Sequence, residues 1–311
     1  MDGLPLVLGA MYFGTRQDDR ASFELLDRFV EAGGSWIDTA SCYSFWESPT
    51  GHGGQSEAVL GRWLRANPGV RERVRISTKV GMEPLDEGGF EGLSARVVRE
   101  GIEGSLERLG VDSVNLFWAH GEDRSTPLEE TVRAFGEVAG EGLATRLGWS
   151  NHPMWLVERA QNLAAAAGLP GFSAVQQRYS YVSPRPDVPV EGEDHEFGMV
   201  GPETLDYVRS NPGWELWAYT PLLLGAYDRS DRPFTPAYDH PGTTRRLAAL
   251  DEVSAELGAT RGQVVLAWLG GGDPPVLPIV GGSRPEYLDA AVAGVRLELS
   301  PEQRDRLDRA G

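Results

Sequence analysis

Two residue types are almost missing from this chain of 311 residues, which has one cysteine and one lysine. A lone Cys42 excludes an internal disulfide and suits a reducing compartment. No segment approaches the ~18 apolar residues of a membrane-spanning helix. The start, MDGLPLVLGAM, lacks the basic stretch and cleavage site of a secretory signal. Together these absences predict a cytoplasmic protein with no membrane partner. Positive charge is also scarce: 29 Lys and Arg stand against 46 Asp and Glu, a net charge of -17. Nucleic-acid binding needs a basic face, so the balance argues against it and for plain solubility. His52, His152, His195 and His240 show no ligand spacing, and no metal is expected.

What is present is a globular composition. Hydrophobic residues make up 41% of the chain, enough for a sizeable core. The length allows two ordinary domains or one α/β barrel, which takes about 250 residues. Short β-branched or aromatic runs alternate with amphipathic stretches about eight times. The strand candidates are 6–10, 36–39, 74–79, 114–119, 146–150, 173–177, 216–220 and 276–280. Gly33, Gly110, Gly142, Gly168 and Gly258 stand where helices should stop. Such alternation means parallel strands with crossover helices. Eight units predict a closed (β/α)8 TIM barrel, with residues 1–311 as one domain. A doubly wound sheet is the alternative, but no G-x-G-x-x-G follows the first strand. Two long connections, 180–200 and 225–242, follow strands and so belong to the face that carries barrel active sites.

The single lysine then becomes informative. Twenty-eight of the 29 basic residues are arginine, yet Lys79 closes the apolar strand RVRISTKV. Lysine is a compact charge whose pKa moves on burial, which arginine cannot imitate. In a barrel Lys79 shares its mouth with Asp38 and Tyr43, after strand two, and His120, after strand four. These four groups suit a proton donor opposite a hydride donor. A phenol with pKa about 10 is a poor acid near neutrality. A neighbouring ammonium should lower that value, a carboxylate should keep the ammonium charged, and an imidazole can polarise a carbonyl. Cys42 adjoins Tyr43 but should point away if strand alternation continues.

The motifs IDTASCY, STKV and LFWAH resemble the aldo-keto reductase superfamily, as do QSEAVLGRWL, TPLEET, LGWSN, QQRYS, AYTPLLLGAY and PIVGGSRPEYL. They occur in the family's order along nearly the whole chain. The resemblance implies catalytic Asp38, Tyr43, Lys79 and His120, and a nicotinamide dinucleotide extended across the barrel mouth. By the same resemblance Ser150, Asn151 and Gln176 would hold the carboxamide, and Tyr219 would stack on the nicotinamide. Asp38 borders the same cofactor. Leu222, Gly225 and Gly281 would approach its phosphates, and Ser283, Arg284 and Tyr287 its adenosine end. Ser283 and Arg284 favour NADP. Tyr287 and Ala291 depart from residues often found in relatives, which leaves NAD use open. The early first strand implies that the N-terminal hairpin of many relatives is shortened or absent.

Tyr12, Phe13, Phe45, Trp46, Trp118 and Trp149 lie near strand ends and are expected to line the substrate pocket. Loop 180–200, with Asp187, Glu191, Glu193, Asp194 and Glu196, reads as a solvated lid. The leading expectation is an NAD(P)-dependent oxidoreductase acting on a small carbonyl or alcohol, on a sugar or a secondary metabolite. The alternatives are a non-catalytic nicotinamide-binding regulatory or partner-docking protein and a redox-neutral epimerase or isomerase that retains its cofactor. Oligomeric state is left open.

Overall fold

The computed structural model describes residues 3–190, 195 and 197–311. Eight short strands run parallel: β1 (Val7–Gly9), β2 (Trp36–Asp38), β3 (Arg75–Val80) and β4 (Leu116–Ala119), then β5 (Leu147–Ser150), β6 (Ala174–Arg178), β7 (Glu215–Tyr219) and β8 (Val276–Gly281). They pair in sequence order and close, Val7 lying beside Trp36 on one side and Ile279 on the other. Each expected strand segment overlaps one of them, with β3, β6, β7 and β8 each running one residue past the expected bounds, and the (β/α)8 barrel stands. Among the described residues no strand precedes β1.

Ten helices surround the barrel among the described residues. They are α1 (Asp19–Glu31), α2 (Gln55–Ala66), α3 (Ala95–Leu109), α4 (Leu128–Gly140) and α5 (Met154–Ala166), followed by α6 (Pro202–Ser210), α7 (Pro241–Leu257), α8 (Arg261–Gly270), α9 (Pro285–Arg296) and α10 (Pro301–Arg309). Their ends follow local chemistry. Asp18 and Ser94 accept hydrogen bonds from Ala21 and Val97 at the starts of α1 and α3. Gly110 and Gly258 end α3 and α7 in the left-handed conformation that glycine tolerates best.

The apolar side chains divide into two layers. The outward faces of the strands and the inward stripes of the helices form one buried shell, from Leu8 and Phe29 round to Leu288. The barrel interior is a second cluster, with Trp36, Leu116, Trp118, Trp217 and Ile279. Trp217 meets Trp36 and Trp118 edge-on, with ring centroids 5.0 and 5.3 Å away. Gly148 is required here, because a Cβ at that position would lie 2.3 Å from the Trp118 ring.

Period-two alternation then decides what faces inward above this floor. Asp38 follows Trp36 by two, Lys79 follows Ser77, and His120 follows Trp118. An apolar floor thus gives way to polar groups at the strand ends.

Candidate active site

Asp38 is fully buried and accepts four hydrogen bonds. Its Oδ1 takes Ser77 Oγ at 2.6 Å and Gln176 Nε2 at 3.3 Å. Its Oδ2 takes Lys79 Nζ at 2.5 Å and the Tyr43 hydroxyl at 2.9 Å. Lys79, equally buried, also donates to the Thr39 carbonyl at 2.8 Å and to the Tyr43 oxygen. His120 stands edge-on to Tyr43, ring centroids 5.8 Å apart. The four sequence candidates therefore form one contact network.

The α2 motif QSEAVLGRWL explains why the network keeps its shape. Ser56 Oγ donates to the Ala10 carbonyl at 2.8 Å and lies 2.7 Å from Thr39 Oγ1. Buried Glu57 accepts from Thr78 and, at 2.7 Å, from Arg108 Nε. The start of α2 is thereby tied to the tops of β1, β2 and β3, the last two carrying Asp38 and Lys79.

Electrostatics departs from the sequence expectation at Tyr43. The phenol is held well above its ordinary value, first by burial and then by the Asp38 carboxylate. Its hydroxyl stays protonated, donating to Asp38 Oδ2, and is not acidified by Lys79. Burial lowers the Lys79 ammonium, with Asp38 opposing that shift. Burial, followed by Lys79, drops His120 well below the usual imidazole range, so the ring is neutral. A neutral imidazole can offer one N–H to a carbonyl oxygen.

Cys42 does not point away. Its buried Sγ lies 3.4 Å from His120 Nδ1, and burial pushes its thiol up, so it stays S–H. Alternation stops at Asp38, where β2 ends and a turn begins, and that turn rotates Cys42 inward.

The expected cofactor residues gather on the ends of β5 to β8. Asn151, left-handed at φ 62°, donates from Nδ2 to the His120 carbonyl at 2.9 Å and to Ser150 Oγ at 3.2 Å. Its Oδ1 accepts from the Tyr219 hydroxyl at 2.9 Å. After β7, Thr220, Leu223 and Leu224 are also left-handed, as is Gly225. For a leucine that conformation costs about 1–2 kcal/mol, and such strain collects at ligand-binding segments. Gly281 ends β8 opposite Gly9. Ser283 and Arg284 precede α9, a helix N-terminus suited to an anion. Tyr287 in its first turn carries the Arg229 guanidinium 5.7 Å over its ring.

The pocket expectation is corrected at three aromatics. Phe13 and Trp149 are buried in the outer shell, where Trp149 packs on Phe172 at 4.4 Å. Trp118 belongs to the barrel floor. Strand alternation turned Trp149 outward and left Trp118 one layer below the mouth. Tyr12, Phe45 and Trp46 do lie in loops at the mouth. Arg16 sits 4.4 Å over the Tyr12 ring, and Phe45 meets Trp46 edge-on at 5.1 Å.

The two long loops interlock. Arg185 N donates to the Ala237 carbonyl at 2.8 Å, and Val182 N to the Tyr227 hydroxyl at 3.0 Å. Asp187 is held by Arg185, while Glu191, Glu193, Asp194 and Glu196 lie outside the described residues. His195 reaches Gly121, next to His120. Sequence reasoning missed Ser77 and Arg229. Ser77 alone carried a signal, standing two residues before Lys79 on the same strand face.

No helix among the described residues is long and apolar enough to cross a membrane, and no acidic, cysteine or histidine cluster among them could hold a metal. The family model described as Aldo/keto reductase family matches residues 5–311. A norsolorinic acid reductase of Emericella nidulans is 30% identical, over 96% of this chain and 76% of its own. An aryl-alcohol dehydrogenase [NADP(+)] of Phanerodontia chrysosporium is 28% identical, over 96% and 80%. A thermostable aldo-keto reductase solved with the inhibitor epalrestat superposes with a TM-score of 0.72 at 26% identity, covering 99% of this chain and 95% of that one. A family match of this extent, on a closed barrel with a buried lysine–carboxylate pair at its mouth, means that the chain belongs to the aldo-keto reductase family and is an oxidoreductase.

Proposed function

We propose that the enzyme reduces aldehydes or ketones with NADPH, and oxidises the corresponding alcohols in reverse, with Tyr43 as the proton donor. The observation that carries this reading is the placement of one phenol oxygen between Asp38 Oδ2, at 2.9 Å, and the Lys79 ammonium. When bound, the nicotinamide supplies a hydride to the carbonyl carbon. Tyr43 gives its proton to the carbonyl oxygen. The Lys79 ammonium then lies beside the phenolate left behind and stabilises it, a role that needs a buried cation. Asp38 keeps Lys79 charged against its burial. Neutral His120 polarises the same carbonyl oxygen through one N–H.

For the cofactor, Ser150, Asn151 and Gln176 would hold the carboxamide and Tyr219 would cover the ring. The left-handed turn at 220–225 would take the pyrophosphate. The Arg284 cation at the start of α9 favours the extra phosphate of NADP over NAD, in keeping with a relative named as an NADP(+) enzyme.

The test is NADPH consumption with a panel of aldehydes and ketones, run beside Tyr43→Phe. The wild type should turn over, and the variant should lose about a thousandfold in kcat or more while binding NADPH as tightly. Full activity in Tyr43→Phe overturns the mechanism. Tight NADPH binding with no carbonyl consumed by the wild type would instead favour a regulatory role.

A further inference from the structure

Five large apolar side chains stay exposed among the described residues: Trp46 at 52%, Leu85 at 42%, Phe90 at 45%, Trp155 at 51% and Leu224 at 69%. On an ordinary soluble surface such residues scatter singly. Here all five lie on segments that leave strand C-termini, which is the face of the candidate site. Trp46 follows β2, Leu85 and Phe90 follow β3, Trp155 opens α5, and Leu224 follows β7. Among the described residues the opposite face has none. Leu224 belongs to the segment expected to meet the cofactor, so the other four bear on substrate.

Two of them, Trp46 and Phe90, flank one ring and form a wall with it. Phe45, half-buried and two residues from Tyr43, supports Trp46 at 5.1 Å and Phe90 at 6.3 Å, both edge-on. Leu85 and Phe90 share one short turn, closed by Leu85 N to the Gly89 carbonyl at 3.1 Å. Across the mouth, Arg124 lies over Trp155 at 5.5 Å and Phe197 at 5.9 Å, forming a second aromatic edge.

Charge narrows the occupant further. The loops 43–54 and 81–92 carry five carboxylates (Glu47, Glu83, Asp86, Glu87 and Glu91) and no lysine or arginine. Arg16 reaches in from outside them and is already paired with Glu47 at 2.9 Å, and His52 is paired with Glu83 at 3.1 Å. A carboxylate-bearing substrate would meet net repulsion here.

We propose that the substrate is an uncharged aromatic aldehyde or ketone of two or more fused rings, its ring system lying against Trp46 and Phe90 while its carbonyl reaches Tyr43. This rests on the carbonyl-reductase reading above. A flat apolar body gains from an aromatic wall in proportion to the area it covers. A sugar covers less apolar area and finds the nearby Arg16 and His52 already paired.

The experiment compares benzaldehyde, 2-naphthaldehyde, 6-formyl-2-naphthoic acid and xylose with NADPH. 2-Naphthaldehyde should exceed benzaldehyde about tenfold in kcat/KM, mainly through KM. Its carboxylate analogue should lose that gain and recover part of it in 1 M salt, where screening is short-ranged. The pair Trp46→Ala and Phe90→Ala should abolish the gain, and Trp46→Phe should keep most of it. A preference for xylose, or a gain unchanged in the double alanine variant, overturns the proposal. Calorimetric binding of 2-naphthalenemethanol reads the wall without turnover. Binding lost in the double variant supports the wall even if no carbonyl is reduced; equal binding in both proteins, or none, refutes it.

Discussion

The buried Lys79–Asp38 pair allows stability and chemistry to be separated by one set of variants. Lys79→Met removes the only cation in the network and leaves Asp38 with three neutral donors: Ser77, Gln176 and Tyr43. Leaving a buried partner uncompensated costs roughly 3–5 kcal/mol. The three remaining hydrogen bonds, each worth about 1 kcal/mol, place this variant near the low end, at about 3 kcal/mol. Asp38→Asn removes the opposing charge and leaves the ammonium with neutral acceptors alone: the amide oxygen, the Thr39 carbonyl and the Tyr43 oxygen. That variant should lose about 4 kcal/mol. The double variant has no charge at either of these two positions, and the barrel floor beneath it is unchanged. It should lose about 2–3 kcal/mol, which gives a coupling of roughly 4 kcal/mol. Urea unfolding followed by tryptophan fluorescence measures all four proteins. Carbonyl reduction should be absent from all three variants: two lack the Lys79 cation proposed to steady the Tyr43 phenolate, and Asp38→Asn lacks the carboxylate that keeps that cation charged. Losses that add to within about 0.5 kcal/mol would refute the pairing, because independent sites add that closely. A double variant that regains activity would refute the catalytic assignment.

His152 should make stability depend on acidity. Burial lowers its pKa to about 4, while the unfolded ring titrates near its ordinary value of about 6.5. The unfolded chain then binds more protons in this window, so stability falls as pH drops from about 6.5 to about 4, by roughly 3 kcal/mol. Urea midpoints taken across that range should show the slope in the wild type and a flatter one in His152→Gln; equal slopes would contradict it. At Cys42, a buried thiol whose pKa is raised by burial should resist iodoacetamide until the protein is unfolded. Rapid labelling of the native enzyme would count against that burial. Cys42→Val also removes the contact to His120 Nδ1 and should lower kcat about fivefold, the equivalent of one modest hydrogen bond, with NADPH affinity retained.

The barrel and the candidate catalytic groups could be read along the chain because both are written in local periodicities. Eight apolar runs punctuated by helix stops are enough to specify parallel strands, and Lys79 is conspicuous because 28 other cations are arginine. Asp38, Lys79 and His120 each continue an inward-facing alternation within a few residues. The sequence by itself therefore determined the element order and the strand ends that carry polar groups. Tertiary structure decided everything that depends on which way a side chain turns and what it meets. Trp149 and Trp118 sit near strand ends like the mouth aromatics, yet one packs against Phe172 in the shell and the other fills the floor beneath the site. Cys42 reaches His120 because the chain turns at Asp38, which no alternation rule foresees. The Tyr43 proton is held rather than released because burial and a carboxylate outweigh a neighbouring ammonium. That balance exists only once the strands have closed and water has left the mouth's floor.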